Sequence, residues 1–231
     1  MTQMAAPRIG FLLFPGLTQL DLTGPAQLLS RLPGARVELV WHSLDPVMTD
    51  CGFSILPTAR FDDLPAPEIL CIPGGIGVAD VMDDGRALDW VRAAGAQAQW
   101  VTSVCTGALI LGAAGLLKGY RATTHWAWHD QLALFGAEPV QARTVFDRNR
   151  VTGGGVTAGI DFALALVAQI AGDATAQTIQ LALEYDPAPP LQSGTPSSAG
   201  PEIVGAYLAR ADRLAPDRLD KIKAAALRLG F

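Results

Sequence analysis

The chain has 231 residues, of which half are hydrophobic and 17% are charged, so it can form one large core and global disorder is excluded. The formal net charge of −5 argues against a nucleic-acid partner, because such binding needs clustered lysine and arginine. Three cysteines in a chain of this size do not suggest a disulfide framework. Each thiol therefore needs its own explanation.

The N-terminal segment MTQMAAPRIGFLLFPG is predicted to contain a strand rather than a signal peptide. It has no positive region ahead of a long apolar run, and that run ends at Pro15 and Gly16. A membrane-spanning helix needs about 18 apolar residues, and the best candidate, AGIDFALALVAQIAG, is interrupted by Asp161 and Gln169. We therefore expect a cytoplasmic protein with no membrane partner.

Short apolar runs alternate along the chain with longer segments of helical period. This order predicts an α/β fold, a doubly wound and mostly parallel sheet with helices on both faces, as in a flavodoxin-like sandwich. The predicted strands cover residues 8–14, 36–43, 68–72, 100–104 and 150–152. The predicted helices cover residues 20–31, 87–96, 107–114, 126–135, 158–171 and 175–184.

Turn-forming residues predict two hairpins appended to this sheet, at 47–58 and 146–151. After Glu184, the stretch YDPAPPLQSGTPSSAGP is predicted to form an irregular surface arm, and residues 202–231 return to helical period. We expect a single domain over residues 1–231, in which 185–231 form a Pro-rich arm and a helical C-terminal extension.

The run QWVTSVCTGALILGAAG places Cys105 at a turn between a buried strand and a helix. Small residues, Ser103 and Gly107, stand two positions to either side, as a tight nucleophile elbow requires. The N-terminus of the following helix is expected to lower the pKa of the thiol and favour the nucleophilic thiolate. The alternative, a packed core thiol, is the less favoured interpretation of this position.

The loops at the carboxyl ends of the other strands are expected to meet Cys105 in one crevice. The first brings Asp21, which is either an ordinary first-turn carboxylate of the next helix or a buried general acid and base. The third, IPGGIG, brings Gly74 and Gly75, whose N–H groups are expected to face developing negative charge. A dinucleotide site is not expected, because Asp80 breaks the glycine pattern of GGIGVAD and no acidic strand end follows GGGVTA.

The remaining cysteines and the histidines give weaker signals. Cys71 lies within an apolar strand and Cys51 in a hairpin turn, so both are assigned structural roles. His125 and His129 have helical spacing, but with only His42 remaining they do not make a metal site. His125 is kept as a polar neighbour of Cys105.

The segments IPGG, SVCTGALILGAAGLLKG and RATTHW together resemble the ThiJ/PfpI superfamily, over essentially the whole chain up to Glu184. With the opening FPGLTQLDLTGP, the Cys-Thr pair and the helical tail, the chain is most similar within it to bacterial isocyanide hydratases. Peptidase-like members have histidine where Thr106 stands, and deglycase-like members use glutamate where this chain offers Asp21. Transcription regulators with a similar segment need a further domain of about 100 residues, so we do not expect a regulator.

The resemblance implies hydration of an isocyanide, R–N≡C, by water to an N-substituted formamide, without cofactor or metal, by a homodimer. It implies that Cys105 is the nucleophile, that Asp21 moves protons and that Thr106 holds the reacting groups. Main-chain N–H groups near Gly75 would line the pocket, and Ile160 would shape it. Two alternatives stay open, namely a non-catalytic thiol-based redox or ligand sensor and a glyoxalase or deglycase-type hydrolytic enzyme.

Overall fold

The computed structural model describes residues 6–64 and 66–230. The predicted domain limits at residues 1 and 231 lie outside the described residues.

A central sheet, parallel apart from one edge strand, organises the described chain. Its strands are β1 (Arg8–Leu12), β2 (Arg36–Trp41), β5 (Ala59–Arg60), β6 (Ile69–Ile72), β7 (Trp100–Val104), β10 (Thr144–Asp147) and β11 (Arg150–Gly153). They lie side by side in the order β10-β11-β7-β6-β1-β2-β5, and only β10 runs antiparallel to its neighbour. The predicted mostly parallel sheet is confirmed, with β1 and β2 each ending two residues earlier than predicted.

The helices form two groups that cover the sheet. They are α1 (Gln19–Leu29), α2 (Val78–Val81), α3 (Gly85–Gln97), α4 (Gly107–Ala113), a 3₁₀ helix (Trp126–Phe135), α5 (Ala158–Ala171) and α6 (Asp173–Ala182). Helix α5 packs against α1 and α6, whereas α4 packs against α2, α3 and the 3₁₀ helix. Because both faces are covered, β6 is buried at every residue, as continuous apolar strands in parallel sheets generally are.

The two predicted hairpins have different places in the fold. The second is part of the central sheet, where β10 and β11 pair at the edge. The first forms a separate ribbon of β3 (Val47–Met48) and β4 (Ser54–Ile55), so the expectation that it would extend the sheet is wrong. It is held instead at the loop after β1, through a bridge between Thr49 and Leu17. A further short pair, β8 (Arg121–Ala122) with β9 (Glu138–Pro139), precedes β10.

The C-terminal extension consists of the predicted arm followed by two longer helices. The arm is exposed and irregular except for one turn, α7 (Pro196–Ala199), and the helices are α8 (Pro201–Leu214) and α9 (Arg218–Arg228). Helix α9 buries Ile222, Ala225 and Ala226 against α4 and the 3₁₀ helix, whereas α8 buries none of its residues. Within 6–64 and 66–230, every helix is too short or too polar to span a bilayer.

Candidate active site

Cys105 occupies a strained turn that links β7 directly to α4. Its φ is 53°, in the left-handed region that a residue other than glycine rarely adopts. Its N–H group donates to the carbonyl oxygens of Gly153 at 3.1 Å and Gly154 at 2.8 Å, and its own carbonyl accepts from Thr124 Oγ1 at 2.7 Å. The end of β11 and the loops that follow β11 and β8 thus hold the predicted elbow in place.

The small residues around this turn are required by close backbone contacts. A Cβ atom at Gly107 would lie 2.1 Å from the carbonyl oxygen of Ile72, and one at Gly74 would lie 2.6 Å from the backbone nitrogen of Thr106. Neither site has room for a side chain, because real Cβ atoms do not approach other atoms this closely. Glycine at both positions lets the loop after β6 pack directly on the start of α4.

Asp21 lies in the first turn of α1 and is fully buried, with 0% of its surface exposed. Its Oδ2 accepts the N–H of Gly74 at 2.9 Å, and its carboxyl group interacts with the thiol of Cys105. Oδ1 is buried and makes no hydrogen bond with the described residues. Burial, which penalises the charged form, raises the pKa of Asp21 to about 7, so the group is suited to exchange protons at neutral pH.

The pKa of the Cys105 thiol is raised well above its usual value, first by burial and then by the negative charge of Asp21. The N–H and hydroxyl groups of Thr106 act in the opposite direction and favour the thiolate. The expected lowering of the thiol pKa is therefore wrong for the free protein, because desolvation outweighs the helix N-terminus. Two buried acids in contact titrate as a unit, and because both pKa values are raised, the Cys105–Asp21 pair holds at least one proton at neutral pH.

Thr106 joins the elbow to the loop after β6. Its Oγ1 accepts the N–H of Gly75 at 3.1 Å and donates to the carbonyl of the same residue at 3.4 Å. Gly75 has a φ of 142°, and a Cβ atom there would lie 2.4 Å from the carbonyl oxygen of Gly16. Because the N–H group of Gly75 already donates to the Thr106 hydroxyl, donation from this N–H to the substrate stays a prediction.

Cys105 opens into a cavity of about 310 Å³ that the core and the C-terminal extension build together. The core contributes Thr18, Asp50, Gly75, Ile76, Cys105, Thr106, His125, Trp128 and Val156. The extension contributes Tyr207, Arg210, Ala211 and Leu214 from α8, and Arg218 from the start of α9. None of these five residues was predicted from the sequence, because the extension shows only a helical period and no motif.

His125 stands between the core and the extension at the wall of this cavity. Its Nε2 lies 3.4 Å from the hydroxyl of Tyr207, and the two rings stack with centroids 5.5 Å apart. Burial, aided by the positive charge of Arg218, lowers the pKa of His125 to about 4. The imidazole is consequently neutral at pH 7 and does not act as a cation beside the thiol.

The other residues singled out by sequence lie away from the thiol. Ile160, expected to shape the cavity, does not line it; its side chain packs toward Gly24 of α1, and Val156 provides the wall from this loop. Cys71 is buried in β6 and Cys51 is exposed on the β3–β4 ribbon. Among the described residues, no cluster of His, Cys, Asp and Glu has the geometry of a metal site.

The comparisons with known proteins agree with this architecture. The DJ-1/PfpI family model matches residues 7–169, so the chain belongs to the DJ-1/PfpI family. It is 55% identical over 199 residues to the isonitrile hydratase of Pseudomonas putida, covering 86% of this chain and 87% of that protein. It is also 30% identical over 168 residues to the HTH-type transcriptional regulator GbdR of Pseudomonas aeruginosa, covering 69% of this chain but only 45% of the regulator.

Solved structures show the same fold. A ThiJ/PfpI family protein from Pseudomonas syringae superposes with a TM-score of 0.89 at 44% identity, covering 97% of this chain and 92% of that one. That match includes most of the C-terminal extension, since it covers nearly the whole chain. Drosophila melanogaster DJ-1beta superposes with a TM-score of 0.71 at 21% identity, covering 78% of this chain and 98% of its own, and this likeness supports the fold alone.

Proposed function

We propose that this protein is an isocyanide hydratase, a cofactor-independent lyase that converts R–N≡C and water into an N-substituted formamide. The observation that carries the proposal is the buried pair of Cys105 and Asp21, which can hold and transfer a proton and whose thiol lines the cavity. The 55% identity with the isonitrile hydratase of Pseudomonas putida supports this reaction over others built on the same fold.

The first half of the reaction uses the shared proton of the pair. The Cys105 sulfur forms a bond to the terminal carbon of the isocyanide, and Asp21 transfers the proton of the pair to the same carbon. The product is a thioimidate, R–N=CH–S–Cys105, with Asp21 left as carboxylate. The pKa of Asp21, raised to about 7, makes this carboxyl group a much better proton donor at neutral pH than an exposed aspartic acid.

The second half returns the proton and releases the product. Asp21 takes a proton from water while the water oxygen adds to the thioimidate carbon, and that proton passes to the nitrogen. The C–S bond then breaks, the hydroxyl proton returns to the Cys105–Asp21 pair, and R–NH–CHO leaves. Thr106 helps at both stages, because its contacts with Gly75 fix the loop that donates the Gly74 N–H to Asp21.

Formamide production from cyclohexyl or aryl isocyanide tests the proposal. Wild type is expected to produce the formamide, and Cys105→Ala is expected to lose at least about a thousand-fold in kcat, since the covalent route is removed. Cys51→Ala serves as a matched control, because it removes an exposed thiol that does not line the cavity. A Cys105→Ala variant that keeps full turnover would refute the proposal.

The site favours hydration over the two alternative functions. A redox sensor needs an exposed thiolate of low pKa, whereas Cys105 is 6% exposed and burial raises the pKa of its thiol. A deglycase-type reaction is not supported by any contact specific to it, and the acid beside the thiol is the shorter Asp21.

We also propose that the protein forms a homodimer. The arm and the helices beside it expose large apolar side chains, with Leu181 83%, Leu191 76% and Ile203 53% accessible. A symmetric partner would cover such surface, as is common among soluble oligomers. Light scattering after gel filtration is expected to give twice the chain mass at micromolar concentration; a monomeric mass would contradict this.

The C-terminal extension is proposed to act with the core as one domain over residues 1–231, because both contribute walls to the cavity. We place the protein in the cytoplasm, where its three free thiols stay reduced. Limited proteolysis that removed residues 185–231 without loss of turnover would argue against one functional unit. Recovery of the native protein in a cytoplasmic fraction is the expected result for its location.

A further inference from the structure

Arg218, the first residue of α9, is buried at the wall of the cavity although it is a charged side chain. Only 6% of its surface is exposed. Its Nη2 lies 3.3 Å from the carbonyl oxygen of Gly75 and 3.4 Å from that of Ile76, and its Cζ lies 4.7 Å from the Trp128 ring. The guanidinium therefore reaches across from the extension to the loop that carries Gly74 and Gly75.

No carboxylate of the described residues lies within salt-bridge distance of this buried cation, although the charge of Asp217 acts on it from further away. Its Nε is buried and makes no hydrogen bond with them, and its neighbour Asp217 forms an ion pair with Lys221 instead. Burying an unpaired charge is costly, so such groups normally face an opposite charge. The negative charges available at this cavity are those of Asp50 and of the buried Cys105–Asp21 pair.

The titratable and charged groups that line the cavity are Asp50, Cys105, His125, Tyr207, Arg210 and Arg218, and Asp21 is buried beside Cys105. Asp50 accepts hydrogen bonds from Thr18 and Cys51, and His125 is neutral at pH 7 because its pKa is lowered to about 4. Arg210 is exposed, so its charge is screened by solvent. Arg218 is the buried cation of this set: burial lowers the pKa of its guanidinium, and the negative charge of Cys105 opposes that lowering.

We propose that Arg218 is a positioning residue of this active site: it anchors the Gly75–Ile76 loop through two carbonyl groups and supplies the positive charge that favours the anionic form of the Cys105–Asp21 pair. The anchored loop keeps the Gly75 N–H on Thr106 and the Gly74 N–H on Asp21. The effect on turnover rests on the proposed isocyanide hydration, whereas the effect on the thiol does not.

The test is the pH dependence of Cys105 alkylation by iodoacetamide in wild type, Arg218→Met and Arg218→Lys, with the modified peptide identified by mass spectrometry. Removing a nearby positive charge disfavours the thiolate, so Arg218→Met is expected to move the midpoint of the alkylation profile upward by about one pH unit. Arg218→Lys is expected to keep the midpoint close to wild type, since it keeps the charge. It should still lose about ten-fold in turnover, because one ammonium group replaces the planar fork at the two carbonyls.

Arg213→Met is the matched control, because it removes an exposed cation of α8 that does not line the cavity. It is expected to leave the alkylation midpoint unchanged. Equal midpoints in wild type and Arg218→Met would overturn the proposal, and so would a shift of the same size in Arg218→Lys. If Arg218→Met does not fold, Arg218→Gln replaces it with the same expectation. If wild type alkylates as described but hydrates no isocyanide, only the proposed function fails.

Discussion

The core and the C-terminal extension contribute to the cavity in opposite ways. The core places Asp21 and Cys105 in deeply buried positions, each fixed by main-chain hydrogen bonds from loops at strand ends. Helix α8 of the extension buries none of its residues. It contacts the core through Tyr207, whose hydroxyl lies near His125 Nε2. The difference indicates that the core fixes the reacting groups, whereas the extension supplies part of the cavity wall around them. Chemistry and substrate selectivity should therefore respond to different substitutions.

The largest effect is expected for a change in the core. Asp21→Asn keeps the size of the side chain but removes the group that transfers protons, so kcat for formamide formation is expected to fall by about a thousand-fold or more. Asp89→Asn, on the exposed face of α3, is the control and should retain wild-type activity. An Asp21→Asn variant with undiminished kcat would mean that the core does not provide the proton transfer.

The same substitution is expected to change the pH dependence of stability. The pKa of Asp21 is raised to about 7 in the folded state, so its stabilising contribution is present below pH 4 and is lost as the pH rises through 7. The difference between the pKa of Asp21 in the folded and unfolded states corresponds to up to about 4 kcal/mol. Denaturant unfolding between pH 4 and pH 8 should show wild type losing stability that Asp21→Asn does not lose. Parallel curves for the two proteins would contradict this.

A backbone change in the loop between the two regions comes next. Gly75→Ala places a Cβ atom 2.4 Å from the Gly16 carbonyl oxygen at a φ of 142°, so a loss of about 3 kcal/mol or more in unfolding free energy is expected. Gly52→Ala also has positive φ, at 83°, but meets nothing within 4 Å, and should cost about 1 kcal/mol. Equal losses in the two variants would show that the close packing of Gly75 has no special importance.

A change in α8 is expected to alter selectivity more than chemistry. Ala211→Phe fills part of the cavity of about 310 Å³, so kcat/KM for cyclohexyl isocyanide should fall by about ten-fold or more. The value for methyl isocyanide should change by less than about three-fold, because a small substituent still fits. Ala209→Phe, which is exposed on the same helix and does not line the cavity, is the control. Equal losses of kcat/KM for both substrates would mean that the substituent of the isocyanide does not lie beside Ala211.

The smallest effect is expected at the contact between the two regions. Tyr207→Phe removes a hydroxyl that lies 3.4 Å from His125 Nε2 but keeps the stacked rings. A long hydrogen bond of this kind contributes little, so KM should rise by about two- to five-fold with kcat nearly unchanged. A loss of more than a hundred-fold in kcat would instead make Tyr207 part of the chemistry.

The chemistry of the core was predictable from sequence because it depends on local rules. Cys105 stands between small residues at a strand–helix turn, and Asp21 follows the first strand, whose carboxyl end meets that turn in a parallel sheet. The raised pKa of the thiol was not predictable, because burial of Cys105 depends on packing from several distant segments. Ile160 lies in a correctly predicted helix. Whether its side chain reaches the cavity depends on how α5 packs against α1, where Ile160 lies beside Gly24.

No local sequence pattern predicted that the extension would line the cavity. Tyr207 and Arg218 lie roughly a hundred residues after Cys105 in a segment that shows only helical period, and their position depends on how α9 packs against α4. Nothing in that period distinguishes a helix over the cavity from one elsewhere on the surface. The superfamily motifs likewise end before Glu184, and the closer resemblance includes the helical tail without assigning a role to any of its residues.

The most direct test of the central claim is mass spectrometry of wild type quenched with acid during turnover of an isocyanide. Covalent catalysis by the Cys105–Asp21 pair predicts a chain heavier by the mass of one isocyanide, with the added mass on the Cys105 peptide and absent from Cys105→Ala. Steady formation of formamide with no such adduct, together with turnover by Cys105→Ala, would contradict it.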